Sequence, residues 1–150
     1  MITKEIPIPA DNDGFVLLRC NLCGEFFKLR PGDMQADEVI NICCPVCGLI
    51  SDNYLTEDVI ELAINIATNI ANDLLYDALK QMKRNFKGGL VSLEISKKSN
   101  REIESPIFSG IEALEIQKYK CCKKHAKIKP LVKLFGSYCP YCGVKYYEFE

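Results

Sequence analysis

The chain of 150 residues reads as an α+β protein in which two small β modules flank one long central α-helix. Three observations predict this. Paired cysteines near each end sit among short strand-like segments, the pattern of small modules stapled by metal. An amphipathic stretch of roughly thirty residues lies between them. Apolar residues make up 48% and charged residues 26% of the chain, a balance that favours folding over disorder. The expected divisions are 1–54 for the first module, 55–87 for the helix, 88–115 for a strand and polar loop, and 116–150 for the second module.

In the first module residues 15–19 form an apolar strand that enters Cys20-Asn21-Leu22-Cys23-Gly24. Residues 25–30 form the strand that leaves it, stopping at the turn Pro31-Gly32-Asp33. Twenty residues separate Cys23 from Cys44-Pro45-Val46-Cys47-Gly48. Each Cys-x-x-Cys turn aims two thiolates at one point, and the glycine relieves the backbone where it turns back. Cys20, Cys23, Cys44 and Cys47 are therefore the expected ligands of a tetrahedral site. A thioredoxin-like redox motif needs one such pair in a βαβ setting, which is not the pattern here.

The helix is expected over 56–86. Thr56 suits the N-cap, Glu57 and Asp58 suit the positive end of the helix dipole, and Lys80, Lys83, Arg84 and Lys87 suit its negative end. Gly88-Gly89 would stop it. Glu61, Asn65, Asn69, Asn72, Tyr76 and Lys80 mark a polar face. Val59, Ile60, Ala63, Ile64, Ala67, Ile70, Ala71, Leu74, Ala78, Leu79 and Met82 make a wide apolar one. A rod of about 45 Å outruns either small module, so self-association or a protein partner on this face is one expected role. After it, 90–95 alternates as a strand should, and 97–105 reads as a polar loop.

In the second module 115–120 enters as a strand, 127–135 makes the middle and 144–149 closes. Its ligand pattern is Cys122-Lys123-Lys124-His125, thirteen residues, then Cys139-Pro140-Tyr141-Cys142-Gly143. Spacing assigns Cys122, His125, Cys139 and Cys142 to a second metal, which uses the chain's one histidine. Each module also contains a doubled cysteine, Cys43-Cys44 and Cys121-Cys122. In an extended segment only one of each pair faces a given metal, so Cys43 and Cys121 are expected to be small buried hydrophobes. Cys121 replaces Cys122 if the turn takes one more residue.

These motifs resemble zinc ribbons built from rubredoxin-type knuckles, over 14–54 and 116–149. The resemblance implies two structural zinc ions per chain, held by the eight residues assigned above. The lack of tryptophan and the short segment between the first two knuckles depart from rubredoxin, so iron with an electron-transfer role is the alternative at the first site.

Charge is distributed unevenly. Residues 1–79 carry four basic and thirteen acidic side chains, whereas 118–150 carry eight and two. Lys118, Lys120, Lys123, Lys124, Lys127 and Lys129, with Tyr141 as a stacking ring, form a candidate nucleic-acid surface: lysines neutralise phosphates while tyrosine stacks on bases. The acidic N-terminal half is the competing occupant of that surface. Nothing in the chain resembles a glycine-rich phosphate loop, and a histidine assigned to metal leaves no Ser-His-Asp arrangement, so no enzymatic activity is expected. No apolar window is long enough to span a bilayer. The first thirty residues lack the basic start and long apolar stretch of a secretory signal, so a cytoplasmic setting with reduced thiols is expected, and metal explains nine cysteines better than disulfides.

Overall fold

The structure is a computed structural model that describes residues 2–85, 100–108, 110 and 113–147. The fold is α+β, with strand-rich regions on either side of one long helix in the sequence. The chain divides into two compact units, 1–57 with 107–150, and 58–106.

In the first unit, β1 (Val16–Arg19) and β2 (Phe26–Leu29) pair antiparallel across the Cys20 turn. Strands β3 (Glu115–Tyr119) and β4 (Lys124–Ile128) do the same further along the chain. The two hairpins are one sheet, in the order β1-β2-β4-β3, because β2 pairs antiparallel with β4 at Lys28–Lys127 and Leu29–Ala126. Phe27, Leu29, Tyr119, Ala126 and Ile128 are fully buried, and with Val16, Leu18, Tyr141, Cys20, Cys44 and Cys139 they form a single core shared by both modules.

Pairs of residues 99 positions apart play equivalent parts in the two hairpins: Cys23 and Cys122, Lys28 and Lys127, Pro31 and Pro130. Pro31 and Pro130 each open a short helix, α1 (Pro31–Met34) and α3 (Pro130–Phe135), since a proline ring is preset for the first helical position. Helix α1 corrects the expected turn at Pro31-Gly32-Asp33. The expected middle segment 127–135 becomes the end of β4 followed by α3. Strands β5 (Ser137–Tyr138) and β6 (Lys145–Tyr146) form a separate two-stranded ribbon, and the outer part of the expected closing strand, 148–149, lies outside the described residues.

In the second unit α2 spans Glu57–Asn85, with Glu57 itself assigned to the first. Its buried residues are Val59, Leu62, Ile66 and Asn69. The buried stripe is thus rotated from the one expected, and Asn69 moves from the polar face to the inside. The reason lies in 101–104, which lies against the helix from Asp73 to Asn65. The Asn69 side chain accepts from the Glu102 N–H at 2.7 Å and donates to the Glu102 C=O at 3.0 Å. Asn65 donates to the Ile103 C=O at 2.9 Å, and Asp73 pairs with Arg101 at 2.9 Å. Asn65 and Asn69 thus satisfy backbone groups of Glu102 and Ile103, and Asp73 adds an ion pair with the Arg101 side chain. Beyond Asn69 no residue of α2 is buried, and Leu74, Leu75 and Met82 are exposed. The expected stop at Gly88-Gly89, the strand at 90–95 and most of the loop at 97–105 lie outside the described residues.

Candidate metal centres

Three of the four knuckles share one geometry. The first cysteine donates its N–H to the residue five positions on, Cys20 to Glu25, Cys44 to Leu49 and Cys139 to Val144. The closing glycine donates back to the first cysteine's carbonyl at 2.8 Å in each case. Gly24, Gly48 and Gly143 have φ of +79°, +73° and +78°, a backbone conformation costly for any residue with a Cβ. Backbone N–H groups inside the turn point at sulfur, as Val46 N–H does toward Cys44 Sγ at 3.4 Å.

These turns bring Cys20, Cys23, Cys44 and Cys47 together, with all four sulfurs within 4.8 Å of one another. Cys20 Sγ lies 3.8 Å from Cys47 Sγ, and Cys23 Sγ 3.6 Å from Cys44 Sγ. The first expected site is assembled as its spacing implies. Burial pushes the Cys44 thiol up, whereas turn N–H groups outweigh burial at Cys20 and hold that thiol down. Four such sulfurs ionise together only with a cation among them, so the donor set calls for a metal ion.

At the second site the structure corrects one ligand. The sulfurs that converge are those of Cys121, Cys122, Cys139 and Cys142, again within 4.8 Å, and His125 is not among them. Strand register explains the difference. Tyr119 pairs with Lys124 as Cys20, through its N–H to the Glu25 carbonyl, meets Glu25, so the loop Lys120 to Lys123 matches Asn21 to Gly24 of the first hairpin. Cys122 then takes the place of Cys23, and Lys123, at φ +55°, takes the place of Gly24. The position equivalent to Cys20 is held by Tyr119, whose ring is buried and whose hydroxyl contacts Ser137 Oγ at 2.9 Å. The missing thiolate comes from the middle of the turn: Cys121 Sγ lies 3.5 Å from Cys142 Sγ. Adjacent cysteines converge here because they sit in a turn, where the alternation of an extended strand does not apply. Cys121 is accordingly exposed rather than buried, while Cys43 is buried as expected. His125 lies within β4, where alternation sets it opposite the buried Ala126 and Ile128, and its backbone carbonyl accepts the Tyr141 hydroxyl at 2.6 Å.

The candidate nucleic-acid residues are divided by the fold. Lys124 pairs with Glu38 at 2.5 Å, Lys129 pairs with Glu25, and Lys127 holds both Asp11 and Asp13, at 2.7 and 2.8 Å. Tyr141 is buried against the core. Lys118, Lys120 and Lys123 are exposed along the β3–β4 hairpin, and among the described residues no carboxylate pairs with them. Sequence reasoning missed Asp11. Its carboxylate bridges Lys28 (3.2 Å) and Lys127, the two lysines that face each other across the β2–β4 seam. Although burial opposes ionisation, Lys127, the Phe15 N–H and Lys28 hold this carboxyl far below its ordinary range. A cavity of about 240 Å³ lies beside this cluster, lined by Asp11, Asn12, Asp13, Lys28, Leu114 and Lys127, and the four charged residues are committed to one another. The signal available in sequence was the Asp11-Asn12-Asp13-Gly14 turn, which reads locally as nothing more than a turn.

Among the described residues no helix is long and apolar enough to cross a membrane. No family model matches the chain, and neither a curated protein nor a solved structure matches it.

Proposed function

We propose that this chain is a non-enzymatic binding protein whose platform is held by two structural zinc ions and which works through protein contact, including self-association along α2. The observation that carries the zinc reading is the pair of four-sulfur clusters with neighbouring sulfurs 3.5 to 3.8 Å apart. Four thiolates at ~2.3 Å around a tetrahedral zinc stand about 3.8 Å from one another. Both sites would be closed by four protein ligands, leaving no position for a water or substrate, which is the structural pattern rather than the catalytic one. Iron at the first site is the metal alternative.

Protein contact is favoured because α2 leaves Ile64, Leu74 and Leu75 more than half exposed. A second reading, nucleic-acid binding, rests on Lys118, Lys120 and Lys123 at the hairpin, and it is the weaker because Lys124, Lys127 and Lys129 already hold carboxylates of this chain. Sedimentation of the zinc-loaded protein distinguishes them. A dimer or larger species that Ile64→Glu dissociates while two zincs stay bound supports assembly through α2. A monomer that instead binds nucleic acid with steep salt dependence, lost in Lys120→Glu with Lys123→Glu, overturns it.

A further inference from the structure

The second knuckles of the two candidate metal centres are interlocked. Cys43 N–H donates to the Pro140 carbonyl and Tyr138 N–H donates to the Pro45 carbonyl, both at 2.8 Å. Cys43 and Tyr138 occupy the same place in the repeat, immediately before Cys44 and Cys139, so the exchange is reciprocal. The packing is reciprocal too. The Tyr138 ring lies over Gly48, so close that a Cβ there would stand 2.9 Å from it, and the Cys43 sulfur would lie 3.3 Å from a Cβ on Gly143. Each glycine closes one metal loop while making room for a residue of the other. Pro45 and Pro140, inside the two loops, are fully buried, and Cys20, Cys44 and Cys139 share one core.

From this interlock we infer that the two metals bind and leave as one coupled unit. The inference rests on the zinc reading above. A knuckle without its ion no longer holds its loop, and its loosening withdraws the hydrogen bond and the side chain that shape the loop of the other site. Ion binding at one centre thereby preorganises the second, which is positive coupling between sites. The second centre, with Cys121 and Cys142 both exposed, is the one open to competing chelators; the first has one exposed cysteine, Cys23.

The test is a chelator titration of the full zinc-loaded chain, counting species with two, one and no zinc by native mass spectrometry. Independent sites give a one-zinc species reaching about half of the total or more, whereas tenfold coupling between sites of equal affinity, equivalent to about 1.4 kcal/mol, lowers that maximum to about a quarter. We expect the lower value. Tyr138→Ala, which removes the ring over Gly48 and no ligand, is expected to restore the one-zinc species toward half. Cys142→Ser is expected to weaken zinc at the intact Cys20 site at least tenfold in competition with a chromophoric chelator. A wild-type chain that does not hold two zincs refutes the zinc reading itself. Two zincs held with the Cys20 site keeping its wild-type zinc affinity in Cys142→Ser refutes the coupling alone, as does a Tyr138→Ala profile identical to wild type.

Discussion

Replacing Asp11 with Asn is expected to destabilise the first unit by about 3 kcal/mol, because it strips a shared counter-ion from two lysines at the centre of the sheet. The Lys28 side chain is 4% exposed and that of Asp11 15%, so neither charge is well hydrated in the folded state. Removing one partner of such a pair leaves a buried charge uncompensated, at a cost of ~3–5 kcal/mol, and the lower end applies because Lys127 keeps Asp13. Asn keeps an oxygen to accept the Asp13 and Phe15 N–H groups that Asp11 now satisfies, so the substitution isolates the charge. For a chain of this size the loss corresponds to roughly 10 °C in Tm. The assay is thermal or urea unfolding at fixed excess zinc, with zinc content checked in each variant. Lys28→Met supplies the second arm of a double-mutant cycle, and once Lys28 is gone Asp11→Asn is expected to cost less than half as much. The pH dependence has a definite sign. A carboxyl held below its ordinary 3.8 stabilises the fold above that value and loses its contribution as pH falls below it. The difference between wild type and Asp11→Asn is therefore flat from pH 5 to 8. A loss below about 1 kcal/mol, or an equal loss with and without Lys28, would refute the reasoning.

Two further outcomes follow from the same geometry. His125→Ala is expected to retain two zincs, whereas Cys121→Ser is expected to lose or weaken one, as metal analysis of the purified variants would show; the opposite result would return the histidine to the ligand set. Asn69→Ala is expected to cost about 1–3 kcal/mol, because it leaves the Glu102 N–H and C=O without their partner, and to speed hydrogen exchange at Glu102; unchanged exchange would show that the clamp along α2 does not hold that segment.

The parts of this protein that sequence alone determined are those whose physics is local. A Cys-x-x-Cys-Gly string dictates its own turn, because the glycine φ and the N–H groups aimed at sulfur lie within six residues, so Cys20, Cys23, Cys44, Cys47, Cys139 and Cys142 were legible without a fold. The long helix was legible for the same reason, through its acidic start, basic end and 3.6-residue period. Everything that depends on what a residue meets at a distance was decided by tertiary structure. Whether His125 or Cys121 completes the second cluster turns on the β3–β4 register, which places Tyr119 where a first cysteine would stand. Asn69 is buried because a backbone segment 33 residues away needs its amide. The basic surface is half neutralised because β2 pairs with β4, which brings Asp11 and Asp13 to Lys127 across more than a hundred residues of chain. Composition records such charges but not their partners, since register and long-range pairing are selected by packing that no short window of sequence contains.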